Sequence, residues 1–156
     1  MQVDKELIKR FIKFAIVGGS GVFVNLGIYF LLTRPTGLVD SMWGRNLAYA
    51  LSVELSILSN FMLNDRWTFR DRCEGVAFKH RFFRFHVVSG VGFLINWGAF
   101  ALLNWAVERG SLTLLGSMEI MGKVHNLDDI FAAMIGIAAA LTWNFGGNLL
   151  WTWGRR

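Results

Sequence analysis

The segment Asn60-Phe61-Met62-Leu63-Asn64-Asp65-Arg66-Trp67-Thr68-Phe69 returns near the C-terminus as Asn144-Phe145-Gly146-Gly147-Asn148-Leu149-Leu150-Trp151-Thr152-Trp153. Each copy closes a long apolar run in which small or polar residues recur at every fourth position. In the first run these are Ala48, Ser52, Ser56, Asn60 and Asn64; in the second, Ala132, Gly136, Ala140, Asn144 and Asn148. A fourfold step nearly matches the helical repeat, so the five residues stack on one slowly winding ridge. On such a ridge small side chains let helix backbones approach closely inside a bilayer, and the amides can hydrogen-bond across.

Composition places those runs in lipid. Of the 156 residues, 54% are hydrophobic and 15% aromatic, more apolar surface than a soluble core of this size needs. Crossing the hydrocarbon layer takes about 20 residues of helix, and four segments qualify: about Phe14–Thr33, Asn46–Asn64, Phe85–Trp105 and Ile130–Leu150. Arg34-Pro35-Thr36-Gly37 ends the first with a turn. The apolar run after Lys5, Lys9, Arg10 and Lys13 has spanning length and no small-residue cleavage pattern, so it reads as a retained helix. The single Cys73 forms no internal disulfide. Charged residues from Asp65 to Arg84 extend the helix ends, and Leu112–Val124 is expected along the membrane interface.

Lysine and arginine are distributed asymmetrically. One side of the membrane receives Lys5, Lys9, Arg10 and Lys13, then Arg66, Arg70, Arg72, Lys79, Arg81 and Arg84, then Arg155 and Arg156; the other receives Arg34, Arg45, Arg109 and Lys123. The positive-inside rule makes both termini cytoplasmic. The net charge of +5 is explained by this placement and not by nucleic acid. Trp67, Trp151 and Trp153 fall at the inner boundary and Trp43 and Trp105 at the outer, as aromatic belts do.

The first and third spans also repeat. Arg10-Phe11-Ile12-Lys13-Phe14 is echoed by Arg81-Phe82-Phe83-Arg84-Phe85, and Val17, Gly19, Gly21, Asn25 and Gly27 by Val88, Gly90, Gly92, Asn96 and Gly98. The expected architecture is an all-α membrane protein, a single domain over 1–156. It is a tandem duplication of a two-helix hairpin, with repeats at about 10–70 and 81–154. Two spans per repeat make the copies parallel, related by an axis along the membrane normal.

Arg-Phe-x-x-Phe-x-x-Val-Gly-Gly at Arg10 to Gly19, the following Asn25, and Asn60-Phe-x-x-Asn64-x-x-Trp67-Thr-Phe69 resemble the GtrA-like family, and the likeness covers nearly the whole chain. It implies a four-helix membrane unit working in cell-surface polysaccharide or glycolipid synthesis. Members are proposed to move polyprenyl-phosphate-linked sugars across the cytoplasmic membrane, or to serve as membrane domains for polyprenyl-phosphate glycosyltransferases.

Glu54 is the acid nearest mid-span, on a face with Leu47, Leu51, Leu58 and Phe61, where the second copy has Ala138. An ionisable group at that depth must meet a partner or a wet cavity. It either binds sugar hydroxyls or carries a proton, or it is satisfied by a neighbour such as Asn25 or Asn96. Arg10, Lys13, Arg81 and Arg84, with Arg66 beside Trp67, stand where helices leave the cytoplasmic headgroups and suit a phosphate or simple anchoring. Asn25 and Asn96 either hydrogen-bond between helices or line a polar path, and Asn60 and Asn64 are either packing and capping groups or ligands. His86 stands where the first copy has Ala15 and is either a phosphate contact or an interfacial histidine. Trp97 and Trp143 pack or stack on sugar, and Asp128 and Asp129 cap a helix start. No catalytic group, metal cluster or cofactor motif emerges, so no enzyme is expected.

The function expected first is translocation of a polyprenyl-phosphate-linked sugar, its phosphate on cytoplasmic Lys and Arg, its sugar on a polar track including Glu54. Four helices enclose little space, so a homodimer or larger assembly in the cytoplasmic membrane is expected. A non-transporting adaptor that docks a glycosyltransferase is the second reading, and a small multidrug-type exporter the third.

Overall fold

The computed structural model describes residues 2–36, 38–113, 116–120 and 123–154. Gly37 of the expected turn, Arg155 and Arg156 of the basic C-terminus, and 114, 115, 121 and 122 of the expected interfacial segment lie outside the described residues.

Four long helices carry the fold: α1 (Gln2–Thr33), α2 (Met42–Leu63), α3 (Phe78–Glu108) and α4 (Asp128–Gly147). With the turns that continue them, the segments Lys5–Thr33, Met42–Thr68, Phe78–Glu108 and Asp128–Thr152 are each long and apolar enough to cross a membrane. The chain is therefore a multi-pass helical membrane protein. Many of its large apolar side chains are exposed, Phe23 at 79% and Trp43 at 86%. Lipid tails are as apolar as a protein core, so such exposure costs little there.

The helices outrun the spans read from hydropathy. α1 begins at Gln2 and α3 at Phe78, because a helix's hydrogen bonds continue through the charged turns beyond the hydrocarbon. Between α3 and α4, the segment expected to lie along the interface carries a two-stranded antiparallel hairpin, β1 (Ser117–Ile120) and β2 (Lys123–Asn126), with Ser117 opposite Asn126 and Ile120 opposite Lys123. Strands of four residues are too short to announce themselves by alternation.

Contacts divide the chain into two compact units, Met1–Phe85 with Thr152–Arg156, and His86–Trp151. In the first, α1 packs on α2 along the small-residue ridge, where Ala48, Ser52, Ser56 and Asn64 are all buried. Ser56 Oγ donates to the Gly21 carbonyl at 2.7 Å, a hydrogen bond between helices. A methyl group at Gly21 would fall into the Asn60 amide, so glycine sets the closeness of this crossing. Ser41 caps α2, its Oγ accepting from Gly44 N at 2.9 Å.

α2 runs on into a π-helical turn at Asn64–Thr68, closed by Phe69 N donating to the Asn64 carbonyl at 2.8 Å. The wider turn rotates the chain beyond it, and Phe69 ends fully buried against Trp153, rings parallel within 6° and 4.4 Å apart. Phe14 meets Phe69 edge-on at 6.1 Å and Phe85 meets Trp153 edge-on at 5.9 Å. Phe69 and Trp153 hold corresponding places in the two copies of the motif. Such ring pairs contribute about 0.5–1.5 kcal/mol each beyond burial.

In the second unit the same grammar holds α3 to α4. Ala132, Gly136, Ala140 and Asn148 are buried, Gly92 lies against the Asn144 amide, and Trp143 Nε1 donates to the Val88 carbonyl at 3.2 Å. α4 continues into its own π-helical turn at Asn148–Thr152. Asp128, in the first turn of α4, is buried and accepts from Gly116 N at 2.8 Å, tying the hairpin's base to the helix.

Candidate functional site

Within the first unit two clefts bring together four of the residues read from sequence as site candidates, Arg10 with Lys13 and Asn25 with Asn60. The basic one, about 290 Å³, lies against the N-terminal turns of α1 and is lined by Glu6, Lys9, Arg10, Lys13 and Asp71. α1 puts Glu6, Lys9, Arg10 and Lys13 together because they are three and four residues apart. The helix continues to this depth because its apolar positions keep helical spacing through the charged turns.

The cations here are held differently. Arg10 grips Asp71 with two parallel bonds, Nη1–Oδ1 at 2.8 Å and Nη2–Oδ2 at 2.9 Å, and gives a third to the Thr68 carbonyl at 3.2 Å. Its guanidinium lies 5.6 Å above the Phe69 ring. Those hydrogen bonds hold the Asp71 carboxyl below the usual carboxylate range, against a smaller opposing effect of burial. Lys13 makes no such fork. Its Nζ sits 5.3 Å over the Trp67 ring, an attraction that fixes direction while leaving the ammonium's N–H donors available. Arg66, next to Trp67 on the π-turn, is exposed, and Arg84 is half-buried.

Arg81 is committed more deeply. It is buried and donates to both oxygens of Asp65, Nε–Oδ1 at 2.7 Å and Nη2–Oδ2 at 3.0 Å. Its Nη1 donates to the Cys73 carbonyl at 2.9 Å and to the Val76 carbonyl. Trp153 Nε1 donates to the same Asp65 carboxylate at 2.9 Å. Asp65 thus ties the end of α2, the start of α3 and the C-terminal tryptophan into one knot. Cys73 closes it, with Sγ 3.2 Å from the Asp65 carbonyl oxygen. Burial, with the Asp65 charge beside it, pushes the Cys73 thiol up to about 11.

The second cleft is a groove of about 370 Å³ between α1 and α2. Asn25 and Asn60 share it, with Tyr49 and Ser56. Asn60 Oδ1 is buried and has no hydrogen-bond partner among the described residues; Asn64 Oδ1 is in the same condition on the π-turn. Neither cleft is lined by Glu54, Arg66 or Arg84. Glu54 is exposed and stands 200° round α2 from both Ser52 and Ser56, the face opposite the groove. His86 is half-buried in the second unit.

The family model described as the GtrA/DPMS transmembrane domain matches residues 13–153. The chain belongs to this family. Over 96 residues, 62% of its length, it is also 38% identical to a protein named dolichol-phosphate mannosyltransferase from Pyrococcus furiosus. The matched stretch spans about a quarter of that relative (25%).

Membership in a transmembrane-domain family agrees with the membrane-spanning helices but assigns none of these side chains. Sequence reasoning gave no role to Asp65 or Asp71 and read Trp153 as a boundary aromatic, whereas it is fully buried and donates to the Asp65 carboxylate. One signal was available: in the repeated decamer the GtrA/DPMS chain has Asp65 where the second copy has Leu149, an acid introduced at the end of a membrane span.

Proposed function

We infer that the chain moves a polyprenyl-phosphate-linked sugar from one leaflet of the cytoplasmic membrane to the other, with both termini in the cytoplasm. The observation that carries this reading is the basic cleft of α1, where Lys9 and Lys13 converge beside Arg10 at the end of a span. A lipid phosphate needs cationic donors at the headgroup boundary, with its tail left in hydrocarbon. Lys13, oriented by Trp67, supplies such a donor without a carboxylate fork of its own. Membership in the GtrA/DPMS family supports the choice of a polyprenyl carrier, since the relative's name pairs a dolichol phosphate with a sugar. The chain acts here as a carrier, not a catalyst.

Purified protein in phosphatidylcholine vesicles, with a labelled short-chain polyprenyl-phosphate sugar in one leaflet, tests this. The expected result is time-dependent arrival of label in the other leaflet, slowed at least tenfold by Lys13→Ala. The match to a quarter of a mannosyltransferase favours a second reading, a membrane dock for a glycosyltransferase. On that reading pure protein moves no lipid, but raises the rate of a co-reconstituted transferase.

A further inference from the structure

The two copies of the hairpin differ in what they do with the same asparagine. We propose that the groove between α1 and α2 is the subsite for the neutral, hydroxyl-rich headgroup of the lipid, and that the corresponding place between α3 and α4 has lost that capacity. The inference rests on the translocation reading of the basic cleft.

No charged side chain lines the groove; its polar wall is two amides, a phenol and a hydroxyl, from Asn25, Asn60, Tyr49 and Ser56. That is the chemistry of sugar recognition and not of phosphate binding. Asn60 Oδ1 is buried there without a donor among the described residues, as is its counterpart Asn144 Oδ1 in the second copy, so what separates the copies is the rest of the polar wall. An unmet acceptor in a low-dielectric setting is costly, and a ligand hydroxyl would satisfy it.

The second copy keeps both amides, Asn96 and Asn144, and loses the phenol and the hydroxyl. Tyr49 is matched by Ala133 and Ser56 by Ala140, while Val22 and Leu26, on the apolar wall, are matched by the larger Phe93 and Trp97. Asn96, the counterpart of Asn25, lies so close to Gly136 that a Cβ there would collide with its Oδ1 and its carbonyl oxygen. In the first copy that glycine is Ser52, whose buried hydroxyl donates to the Tyr49 carbonyl at 2.8 Å. A side chain stands where Asn96 docks, and Asn25 opens onto the groove. Ser52 against Gly136 is the difference at the position where Asn96 makes its close approach.

The groove is also distinct from the basic cleft. Asn25 is twelve residues beyond Lys13, about 18 Å along α1 and 120° around it. A sugar in the groove is therefore a stage the headgroup reaches after its phosphate has left Lys13.

A photoreactive p-benzoylphenylalanine placed at Val22, or at the matching Phe93, reads the site directly. The probe is a radiolabelled octyl glucoside, a neutral sugar on an alkyl chain without phosphate, presented to protein in phosphatidylcholine nanodiscs. Labelling at Val22 is expected at least fivefold above that at Phe93, and Asn25→Leu should reduce it to the Phe93 level. Asn25→Leu keeps a side chain of similar size on a lipid-compatible face; Ser52→Gly, which lets Asn25 dock as Asn96 does, should reproduce the loss without removing any amide. Equal labelling at the two positions, or labelling at Val22 indifferent to both variants, overturns the proposal. Groove labelling in a protein that moves no lipid in vesicles would keep the headgroup site and remove translocation; lipid movement without groove labelling would do the reverse.

Discussion

Replacing Asp65 by alanine should be the most damaging single change to a charged residue in this protein. The carboxylate accepts from Arg81 Nε at 2.7 Å, Arg81 Nη2 at 3.0 Å and Trp153 Nε1 at 2.9 Å. The Arg81 and Asp65 side chains are only 9% and 11% exposed, so water screens them little. Truncating one member of a buried ion pair typically costs about 3–5 kcal/mol, because the other charge is left uncompensated. Arg81 retains the Cys73 and Val76 carbonyls, which places the expected cost near the lower end, about 3 kcal/mol. For a chain of this length that is a fall in Tm of roughly 6–12 °C. Thermal unfolding in detergent, followed by tryptophan fluorescence, reads the global transition and the release of Trp153 together.

The control is supplied by the fold. Asp71 holds Arg10 with an equally short fork, but its side chain is 51% exposed. An exposed pair contributes about 0–1 kcal/mol, so Asp71→Ala should lower Tm by no more than a few degrees. The double variant Asp65→Ala with Arg81→Met, which removes both charges, should recover part of the loss. If Asp71→Ala costs as much as Asp65→Ala, or if Arg81→Met adds its full cost to that of Asp65→Ala, burial is not what gives the pair its weight and the reasoning fails.

Other expectations rest on the same geometry. Gly21→Ala should destabilise by about 1–3 kcal/mol through overpacking against Asn60, whereas Gly18→Ala, with nothing within 4 Å of the added methyl, should be neutral or slightly stabilising; chemical unfolding in mixed micelles compares them. Alkylation of Cys73 by iodoacetamide at pH 8 should be about tenfold slower than for an ordinary thiol, since a smaller thiolate fraction is half offset by greater nucleophilicity, and Asp65→Asn should speed it. The Arg10–Asp71 pair has a depressed carboxyl, so its contribution is full above the ordinary carboxylate pKa and is lost as pH falls through the lower folded value. Melting curves of wild type and Asp71→Asn should therefore converge in acid and separate toward neutrality.

What was legible in the sequence is what lipid makes legible. Ala48, Ser52 and Ser56 are buried as their spacing demands, and so are Ala132, Gly136 and Ala140, because in a bilayer closeness of backbones replaces hydrophobicity as the organising force. Helix ends were not legible to the same degree. Hydropathy marks where the hydrocarbon stops, and α1 continues through charged turns as far as Gln2. Asp65 was illegible for a different reason. Beside Arg66 it reads as an ordinary charge at a membrane boundary, and only the π-turn at Asn64–Thr68 accompanies its inward placement against Arg81 and Trp153. Nothing in the spacing of the decamer announces a π-turn.

The fates of three of the repeated cations show how a duplicated sequence comes to carry unequal chemistry. Arg10 and Arg81 occupy the same place in Arg-Phe-x-x-Phe, as do Lys13 and Arg84. Arg81 is spent on the acid that replaces a leucine in the decamer, and its fork holds α2, α3 and the C-terminal tryptophan together. Arg10 is held by an acid from the linker after the π-turn, outside the repeated decamer, and remains at the edge of the basic cleft. Lys13 meets an aromatic face in place of a carboxylate. An ammonium over an indole keeps its N–H donors, while a guanidinium in a carboxylate fork has used its own. The residue best placed to meet a phosphate is therefore decided by where Asp65 and Asp71 fall. Lys13→Arg keeps the charge, so a phosphate-contact role predicts retained lipid crossing for it, against loss for Lys13→Ala, when both are reconstituted in phosphatidylcholine vesicles with the labelled polyprenyl-phosphate sugar.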